Sequence, residues 1–216
     1  MAIKAVIWDF GGVITTSPFD AFNRYEAEHG LPHDFIREVN ARNPDSNAWA
    51  LLERNEIGAA GFDARFATEA AALGQNVRGA AVLALLSGDV RPAMVAALDA
   101  CRAAGYQLGC ITNNAKVGEG ASMSSDPAKT AAVAAILARF DHVIESSKAG
   151  IRKPDPRIYL MMCETLGVAP GDCVYLDDLG INCKPAATLG MTAIKVTGEA
   201  QALADLGRVL GMAFPT

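Results

Sequence analysis

The chain has 216 residues, of which 51% are apolar and 20% charged, and its formal net charge at pH 7 is -5. A chain of this length buries a full hydrophobic core, either as one large domain or as a domain with a small subdomain. The acidic balance argues against nucleic acid and anionic membranes as main partners, because both bind to a basic face. No apolar run is long enough to span a bilayer and no leader pattern precedes the first predicted strand, so we expect a cytoplasmic protein.

The histidine and cysteine content argues against two common kinds of hydrolase site. The three histidines form no metal-ligand pattern, so neither a zinc site nor a Ser-His-Asp triad is expected. The five cysteines are odd in number and lack paired spacing, which predicts reduced thiols in the core. They are Cys101, Cys110, Cys163, Cys173 and Cys183.

The first element is an apolar run over residues 5–8, which predicts a buried strand with Asp9 at its carboxyl end. Gly11 and Gly12 follow, and glycine lets the backbone turn and be approached closely. Ligands of open α/β sheets bind at the carboxyl ends of the strands. From this segment alone, Asp9 is either a turn residue or a functional carboxylate.

The next stretch, residues 15–88, carries helix signals and no convincing strand. Ser17 is predicted as the N-cap of a first helix, with Pro18 at its first helical position. Further helical patterns begin near Asp34, span Ala48 to Glu53, and run from Phe62 to Leu73. We therefore predict that residues 15–88 form a helical cap, inserted into a core made of residues 1–14 and 89–216.

Several side chains of the predicted cap have a local interpretation of their own. Trp49, Phe62 and Phe66 either form the cap's small core, which we favour, or line a substrate pocket. Glu53 and Arg54 are predicted to lie on a solvated face. The cap therefore carries no sequence signature that identifies a substrate.

From residue 89 onwards, helical and strand patterns alternate along the chain. The predicted strands cover residues 106–111, 142–144, 173–176 and 192–196. The predicted helices cover residues 90–104, 127–139 and 156–166, with a short helix before Gly190 and a surface helix at the end. A Gly/Ser-rich loop occupies residues 118–125. This alternation predicts an α/β fold with a parallel sheet and right-handed crossovers.

Polar residues stand at the exits of three predicted strands. Asp9 follows the first strand and Thr112 ends the second. Asp177 and Asp178 follow the fourth, and Lys153 enters the helix after the third. Parallel strands place these exits on one edge, where gathered carboxylates repel one another unless a cation neutralises them. Oxygen ligands without histidine or cysteine suit magnesium, and a lysine suits a phosphoryl group.

Four ordered motifs resemble those of the haloacid dehalogenase superfamily. They are Asp9-Phe-Gly-Gly-Val, Thr112-Asn113, Lys153-Pro154, and Leu176-Asp177-Asp178 with Asn182. Residues 143–159 and 176–186 are similar to the subgroup that holds the N-terminal phosphatase domain of soluble epoxide hydrolase and a domain fused to an acyl-CoA dehydrogenase. The resemblance implies a Rossmann-like core with strand order 5-4-1-2-3 and a small helical cap inserted after the first strand.

The resemblance also implies a magnesium-dependent phosphatase that acts on a small phosphorylated metabolite. Asp9 is the implied nucleophile, which attacks phosphorus and forms an aspartyl-phosphate that water then hydrolyses. Asp178, the Asp9 carboxylate and the carbonyl of Gly11 are the implied magnesium ligands. Asp177 is implied to support the metal or its waters.

Other motif residues are implied to handle the phosphoryl group. Thr112 and Asn113 hold its oxygens, and Lys153 orients the nucleophile and offsets charge. Asn182 orders the loop after the fourth strand. Lys148 is a rival for the lysine role, and the Lys-Pro pair favours Lys153.

Gly11 departs from the pattern of the family's phosphatases. These enzymes usually carry a second aspartate two residues after the nucleophile, and glycine cannot transfer a proton. Either the substrate has a good leaving group, or a water or a cap residue replaces the acid, with Thr15, Thr16 and His33 as candidates. A 2-haloacid dehalogenase-type hydrolase and a phospho-ligand-binding domain with weak or no turnover are the alternative functions.

Overall fold

The centre of the molecule is one parallel sheet, in a computed structural model that describes residues 2–114 and 127–214. Its five strands have the order β3-β2-β1-β4-β5. They are β1 (Ala5–Trp8), β2 (Gln107–Thr112), β3 (His142–Glu145), β4 (Cys173–Asp177) and β5 (Thr192–Lys195). The sheet confirms the predicted α/β class and the strand order that the resemblance implies.

Five helices follow β1 within the stretch predicted as a cap. They are α1 (Phe19–Glu28), α2 (Phe35–Ala41), α3 (Ala48–Glu53), α4 (Ala59–Ala71) and α5 (Gly79–Ala84). The sequence patterns did not predict α5. Phe62 and Phe66 are fully buried in a hydrophobic cluster that these helices share, so the prediction of core residues is confirmed for both. Trp49 packs on the same cluster and also borders a cavity.

The chain leaves and re-enters the core through two segments that lie side by side. Thr15 and Val90 form an isolated antiparallel bridge. The Thr16 N–H donates a hydrogen bond to the Asp89 carbonyl at 2.8 Å. These contacts lie beside the predicted limits of the cap at residues 15 and 88, and the limits themselves stay a prediction.

Helices cover both faces of β1. Val6 and Trp8 belong to one hydrophobic cluster, and Ala5 and Ile7 belong to another. Alternate residues of a strand point to opposite faces, so burial on both faces explains why the whole run is apolar. The helices around the sheet are α6 (Pro92–Ala103), α7 (Pro127–Leu137), α8 (Ser146–Ala149), α9 (Pro156–Leu166), α10 (Gly180–Thr188) and α11 (Glu199–Leu210).

Two expectations about the cap are wrong. Helix α1 begins at Phe19 with Pro18 at the N-cap position, and the Ser17 hydroxyl instead donates to Asp178 Oδ2 at 3.2 Å. Glu53 does not lie on a solvated face, because it is only 5% exposed at the end of α3. In both cases a contact with the edge of the core outweighs the local sequence pattern.

Three further observations concern the rest of the chain. All five cysteines are free and buried, as predicted. The Gly/Ser-rich loop predicted at residues 118–125 lies outside the described residues. Among the helices that the structure describes, none combines the length and apolar composition needed to cross a membrane.

Candidate active site

The central strand delivers Asp9 to the carboxyl edge of the sheet. The Asp9 N–H donates to the Leu176 carbonyl at 2.8 Å, which extends the pairing of β1 with β4. Asp9 is 7% exposed, and its Oδ1 accepts a hydrogen bond from the Phe10 N–H at 2.7 Å. Burial raises the pKa of Asp9 well above its usual range, although the charge of Lys153 opposes that rise.

Lys153 reaches the same edge from the segment before α9 and is 1% exposed. Its Nζ lies 2.7 Å from Asp9 Oδ1 and 2.8 Å from Asp177 Oδ2. Burial opposes the charged amine, but the charges of Asp177 and Asp9 outweigh that penalty and raise the pKa of Lys153. The rival Lys148 pairs with Glu145 at the surface. The structure therefore places Lys153, and not Lys148, on the predicted nucleophile.

Asp177 is the centre of a buried hydrogen-bond network. It is fully buried, and its carboxylate accepts from Lys153 Nζ, the Tyr175 hydroxyl, the Leu179 N–H at 2.8 Å and Asn182 Nδ2 at 3.1 Å. Hydrogen bonds of this charge-assisted kind hold side chains in fixed directions. Asp177 therefore orients Lys153 and the turn into α10, and Asn182 joins it in that turn.

Asp178, the residue after Asp177, packs on Gly12. A Cβ at Gly12 would lie 2.1 Å from Asp178 Oδ2, and the φ of Gly12 is +76°, so glycine is required there. Asp178 Oδ2 accepts from the Ser17 hydroxyl. Burial, followed by the charge of Asp177, raises the pKa of Asp178 to about 6.

The carboxylates of Asp9, Asp177 and Asp178 fit a divalent cation. Each offers an oxygen within 4.8 Å of the other two, and Lys153 contributes one neighbouring positive charge. Two buried carboxylates and the half-buried Asp178, with one ammonium, leave excess negative charge at this edge, which adds to burial as a cause of the raised pKa of Asp9 and of Asp178. An all-oxygen donor set suits a hard ion such as magnesium.

Thr112 and Asn113 end the neighbouring strand β2. Thr112 is 8% exposed, and within residues 2–114 and 127–214 its hydroxyl has no hydrogen-bond partner. Asn113 Oδ1 accepts from the Lys153 N–H at 2.9 Å, and its Nδ2 donates to the Lys153 carbonyl at 3.0 Å. The side chain of Asn113 therefore braces the backbone of Lys153.

A cavity of about 940 Å³ opens above these strand ends. Its wall includes Asp9, Gly11, Thr112, Lys153 and Asp178 from the core, and Phe19, Phe22, Trp49 and Glu53 from the cap helices. A Cβ built on Gly11 meets nothing within 4 Å in the described part of the chain. The predicted site residues thus meet at one cavity between the sheet edge and the cap helices, and the roles implied for them stay predictions.

The three candidates for a replacement acid differ in position. Thr15 and Thr16 border the cavity, and the Thr16 hydroxyl accepts from the Asp89 N–H at 3.0 Å. His33 has a side chain that is 75% exposed and pairs with Asp34. The geometry therefore gives His33 no role at the strand ends.

Glu53 is a buried residue of the cavity wall that the sequence patterns missed. Trp49 Nε1 donates to its Oε1 at 2.8 Å, and Arg152 Nε lies 2.6 Å from its Oε2. A useful signal was present in the sequence, because residues four apart lie on the same side of a helix. The large indole of Trp49 therefore shares a helix face with Glu53.

The sequence of the chain is similar to those of known proteins. The profile of the haloacid dehalogenase-like hydrolases matches residues 3–190. The chain is 32% identical over 217 residues to mouse acyl-CoA dehydrogenase family member 10, across 98% of this chain and 19% of that protein. It is 29% identical over 230 residues to mouse bifunctional epoxide hydrolase 2, across 100% of this chain and 40% of that protein. The chain thus spans less than half the length of these two relatives.

Solved structures share the fold at low sequence identity. A HAD family enzyme from Bacteroides thetaiotaomicron, in complex with magnesium and inorganic phosphate, has a TM-score of 0.58 and 20% identity over 92% of this chain and 96% of that one. The L-2-haloacid dehalogenase of Xanthobacter autotrophicus has a TM-score of 0.61 and 19% identity over 98% of this chain and 84% of that one. With the sequence profile covering most of its length, this chain belongs to the haloacid dehalogenase-like hydrolases.

Proposed function

We propose that the chain is a magnesium-dependent phosphatase that hydrolyses a small organic phosphate through an aspartyl-phosphate on Asp9. The observation that carries the proposal is the 2.7 Å contact of Lys153 Nζ with Asp9 Oδ1, beside the carboxylates of Asp177 and Asp178. Two comparisons support it: a fold neighbour binds magnesium and phosphate, and a Mycobacterium tuberculosis phosphatase is 32% identical over 126 residues, or 55% of each chain.

The contacts of Asp9 favour nucleophilic attack by one of its two oxygens. Lys153 Nζ and the Phe10 N–H both hold Oδ1, so Oδ2 carries no hydrogen bond from the described residues. This oxygen would attack phosphorus, the bond from phosphorus to the ester oxygen would break, and water would then release phosphate from Asp9. Thr112 lines the cavity, and its hydroxyl, which has no hydrogen-bond partner among the described residues, would donate to a phosphoryl oxygen.

The acidic cluster would hold the magnesium ion through Asp9 and Asp178, with Asp177 behind them. When bound, magnesium supplies positive charge that stabilises the phosphoryl oxygens in the transition state. Lys153 supplies a second positive charge, which Asp177 holds in place at 2.8 Å. Catalysis on this scheme comes from positioning and electrostatics.

Because residue 11 is glycine, the segment after Asp9 offers no side-chain acid that could protonate the leaving group. The space beside the Gly11 Cα is open, so water can occupy it and supply the proton. General acid catalysis typically contributes about 10²–10⁴-fold. We therefore expect slow turnover of esters with basic leaving groups and faster turnover of aryl phosphates.

The test is magnesium-dependent release of nitrophenol from nitrophenyl phosphate by the purified protein. EDTA and the Asp9→Asn substitution should each remove the release, because one withdraws the cation and the other the nucleophile. A magnesium-dependent rate that Asp9→Asn leaves unchanged would show that this site is not responsible. Tight, magnesium-dependent binding of a phosphate ester without turnover would instead identify a phospho-ligand-binding domain.

The 2-haloacid dehalogenase alternative would use the same Asp9 to attack carbon. Such a reaction requires no cation, whereas Asp177 and Asp178 place two further carboxylates beside Asp9. The cluster therefore favours phosphoryl transfer. Release of chloride from 2-chloropropionate that EDTA does not inhibit would reverse this choice.

A further inference from the structure

Glu53 reaches from the cap helix α3 onto the edge of the core, where it is 5% exposed. Its Oε2 lies 2.6 Å from Arg152 Nε and accepts from Asn113 Nδ2 at 3.3 Å. Its Oε1 accepts from Trp49 Nε1 at 2.8 Å, and its backbone carbonyl accepts from the Ser146 hydroxyl at 2.7 Å. A buried carboxylate needs partners of this kind, and two of its three side-chain partners, Arg152 and Asn113, come from the core.

The core partners of Glu53 lead directly to Lys153. Asn113 holds both the N–H and the carbonyl of Lys153, and Arg152 is the preceding residue in the chain. Arg152 Nη1 also donates to the Pro44 carbonyl of the cap at 2.9 Å. Glu53 therefore contacts both Arg152 and the Asn113 side chain that binds the backbone of Lys153.

From this chain of contacts we infer that Glu53 is a positioning residue for Lys153. It acts through Asn113 and Arg152, and it keeps Lys153 Nζ on Asp9 Oδ1. The brace is complete only when α3 lies on the core, so the cap helix helps to assemble the nucleophile site. The effect expected of Glu53 on turnover rests on the proposed phosphatase function.

Glu53 is not the missing acid, although it borders the cavity. Both of its oxygens are engaged by donors, and Arg152 and Trp49 favour its ionised form. Burial raises the pKa of Glu53, while the charge of Arg152 opposes the rise. A carboxylate whose two oxygens both accept hydrogen bonds from Trp49 and Asn113 orients these neighbours and presents no free oxygen to a leaving group.

The test compares Glu53→Ala with Glu26→Ala in the intact chain. Glu26 is a matched control, because it is also a buried carboxylate of the cap, 1% exposed, and accepts from the N–H groups of Asp34 and Ile36 within the cap. With nitrophenyl phosphate and magnesium, Glu53→Ala should lower kcat about 10- to 100-fold with little change in KM, because a misplaced lysine weakens transition-state binding. Glu53→Gln, which keeps one acceptor oxygen for either Asn113 or Trp49, should recover part of kcat, and Glu26→Ala should retain the wild-type kcat.

A second readout does not require turnover. In ¹⁵N NMR spectra the buried ammonium of Lys153 should give a slowly exchanging signal, assigned by its loss in Lys153→Met. Glu53→Ala should shift or broaden this signal, and Glu26→Ala should leave it in place. An unchanged signal in Glu53→Ala, or equal losses of kcat in Glu53→Ala and Glu26→Ala, would overturn the inference. If Asp9→Asn retains the wild-type rate, the proposed function fails, and the NMR comparison still decides the role of Glu53.

Discussion

Lys153 neutralises two buried carboxylates that no other cation among the described residues contacts directly. Its Nζ lies within 2.8 Å of both Asp9 and Asp177. Removal of one member of such a group leaves uncompensated buried charge, which is strongly destabilising. The lysine that orients the predicted nucleophile is therefore also a structural residue.

Lys153→Met should lower the free energy of unfolding by about 3–5 kcal/mol, because Asp9 and Asp177 would lose their counter-ion. Urea unfolding of the metal-free protein measures this loss. Lys148→Met is the control, since that side chain is 66% exposed and its ion pair lies at the surface. It should change stability by no more than about 0.5 kcal/mol. Equal losses in the two variants would show that the buried ion pairs do not stabilise the fold.

Gly11 and Gly12 are adjacent but differ in what surrounds them. Gly11→Asp places a carboxylate in open space, and we expect it to raise kcat/KM on alkyl phosphates by about tenfold or more, because it supplies a general acid. Gly11→Asn has the same shape without the proton and should give no gain. Rates are compared for an alkyl phosphate and nitrophenyl phosphate, and an equal gain from aspartate and asparagine would rule out proton transfer as the cause.

Gly12→Ala should damage the site, whereas Gly11→Asp should improve it. A Cβ at residue 12 would lie 2.1 Å from Asp178 Oδ2, at a φ of +76° that L side chains rarely adopt. The carboxylate must move, so we expect a large loss of magnesium affinity, measured by titration calorimetry. Gly11→Ala is the matched control and should bind magnesium as the wild type does. Retained affinity in Gly12→Ala would mean that Asp178 is not a ligand.

At the scale of elements, local sequence predicted the strands better than the helix boundaries. β1 and β4 are buried on every residue, so their apolar runs were sufficient to identify them. Ser17 had the sequence of an N-cap, yet its hydroxyl binds Asp178, which is distant in the chain. Glu53 resembled an exposed helix end because its partners Arg152 and Asn113 come from other elements. Contacts of this kind require the tertiary structure.

Helix α5 was missed for a related reason. Arg78, at its N-cap position, gives no side-chain cap, and the Ala80 N–H donates instead to Asp63 Oδ1 of α4 at 2.9 Å. Gly79 lies so close to helix α4 that a Cβ at Gly79 would be 2.7 Å from the Asp63 Cα. The helix thus begins where it docks on α4, and no local pattern marks that position.

The contacts of Asp63 predict a pH-dependent contribution to stability. The hydrogen bond from Arg78, with the Ala80 N–H next, lowers the pKa of Asp63 from 3.8 to about 2. A carboxyl group whose pKa is lower in the folded than in the unfolded protein stabilises the fold when the pH is above the unfolded-state pKa. This stabilisation is lost as the pH falls through the folded-state pKa. Asp63→Asn should therefore lower the melting temperature at pH 6, and the difference from the wild type should shrink between pH 4 and pH 2. A constant difference would show that the carboxylate charge is not the cause.

At the scale of the molecule, the parallel topology explains why the site could be located from sequence. Asp9, Lys153 and Asp177 are far apart in the chain, and only the common edge of parallel strands predicts that they meet. Their division of roles was less predictable. Asp177 and Asp178 are adjacent, yet the first binds Lys153 and the second packs on Gly12. The two adjacent carboxylates thus contact different residues, and sequence patterns do not specify which contacts each one makes.

The excess negative charge at the sheet edge makes magnesium a predicted stabiliser of the whole fold. A ligand that binds only the folded state, at about 100 times its Kd, adds about 2.7 kcal/mol. For a chain of this size that corresponds to a rise in melting temperature of about 5–10 °C. Magnesium should produce this rise in the wild type and EDTA should reverse it.

The same measurement on Asp178→Asn separates site binding from a general salt effect. This variant keeps the shape of the carboxylate beside Gly12 but loses one of the three charges that surround the proposed cation. We expect the magnesium-dependent rise in melting temperature to disappear, whereas screening of surface charges would be unchanged. An equal rise in the wild type and Asp178→Asn would locate the ion elsewhere. The chemistry proposed for Asp9 would then need another source of positive charge than a metal at this edge.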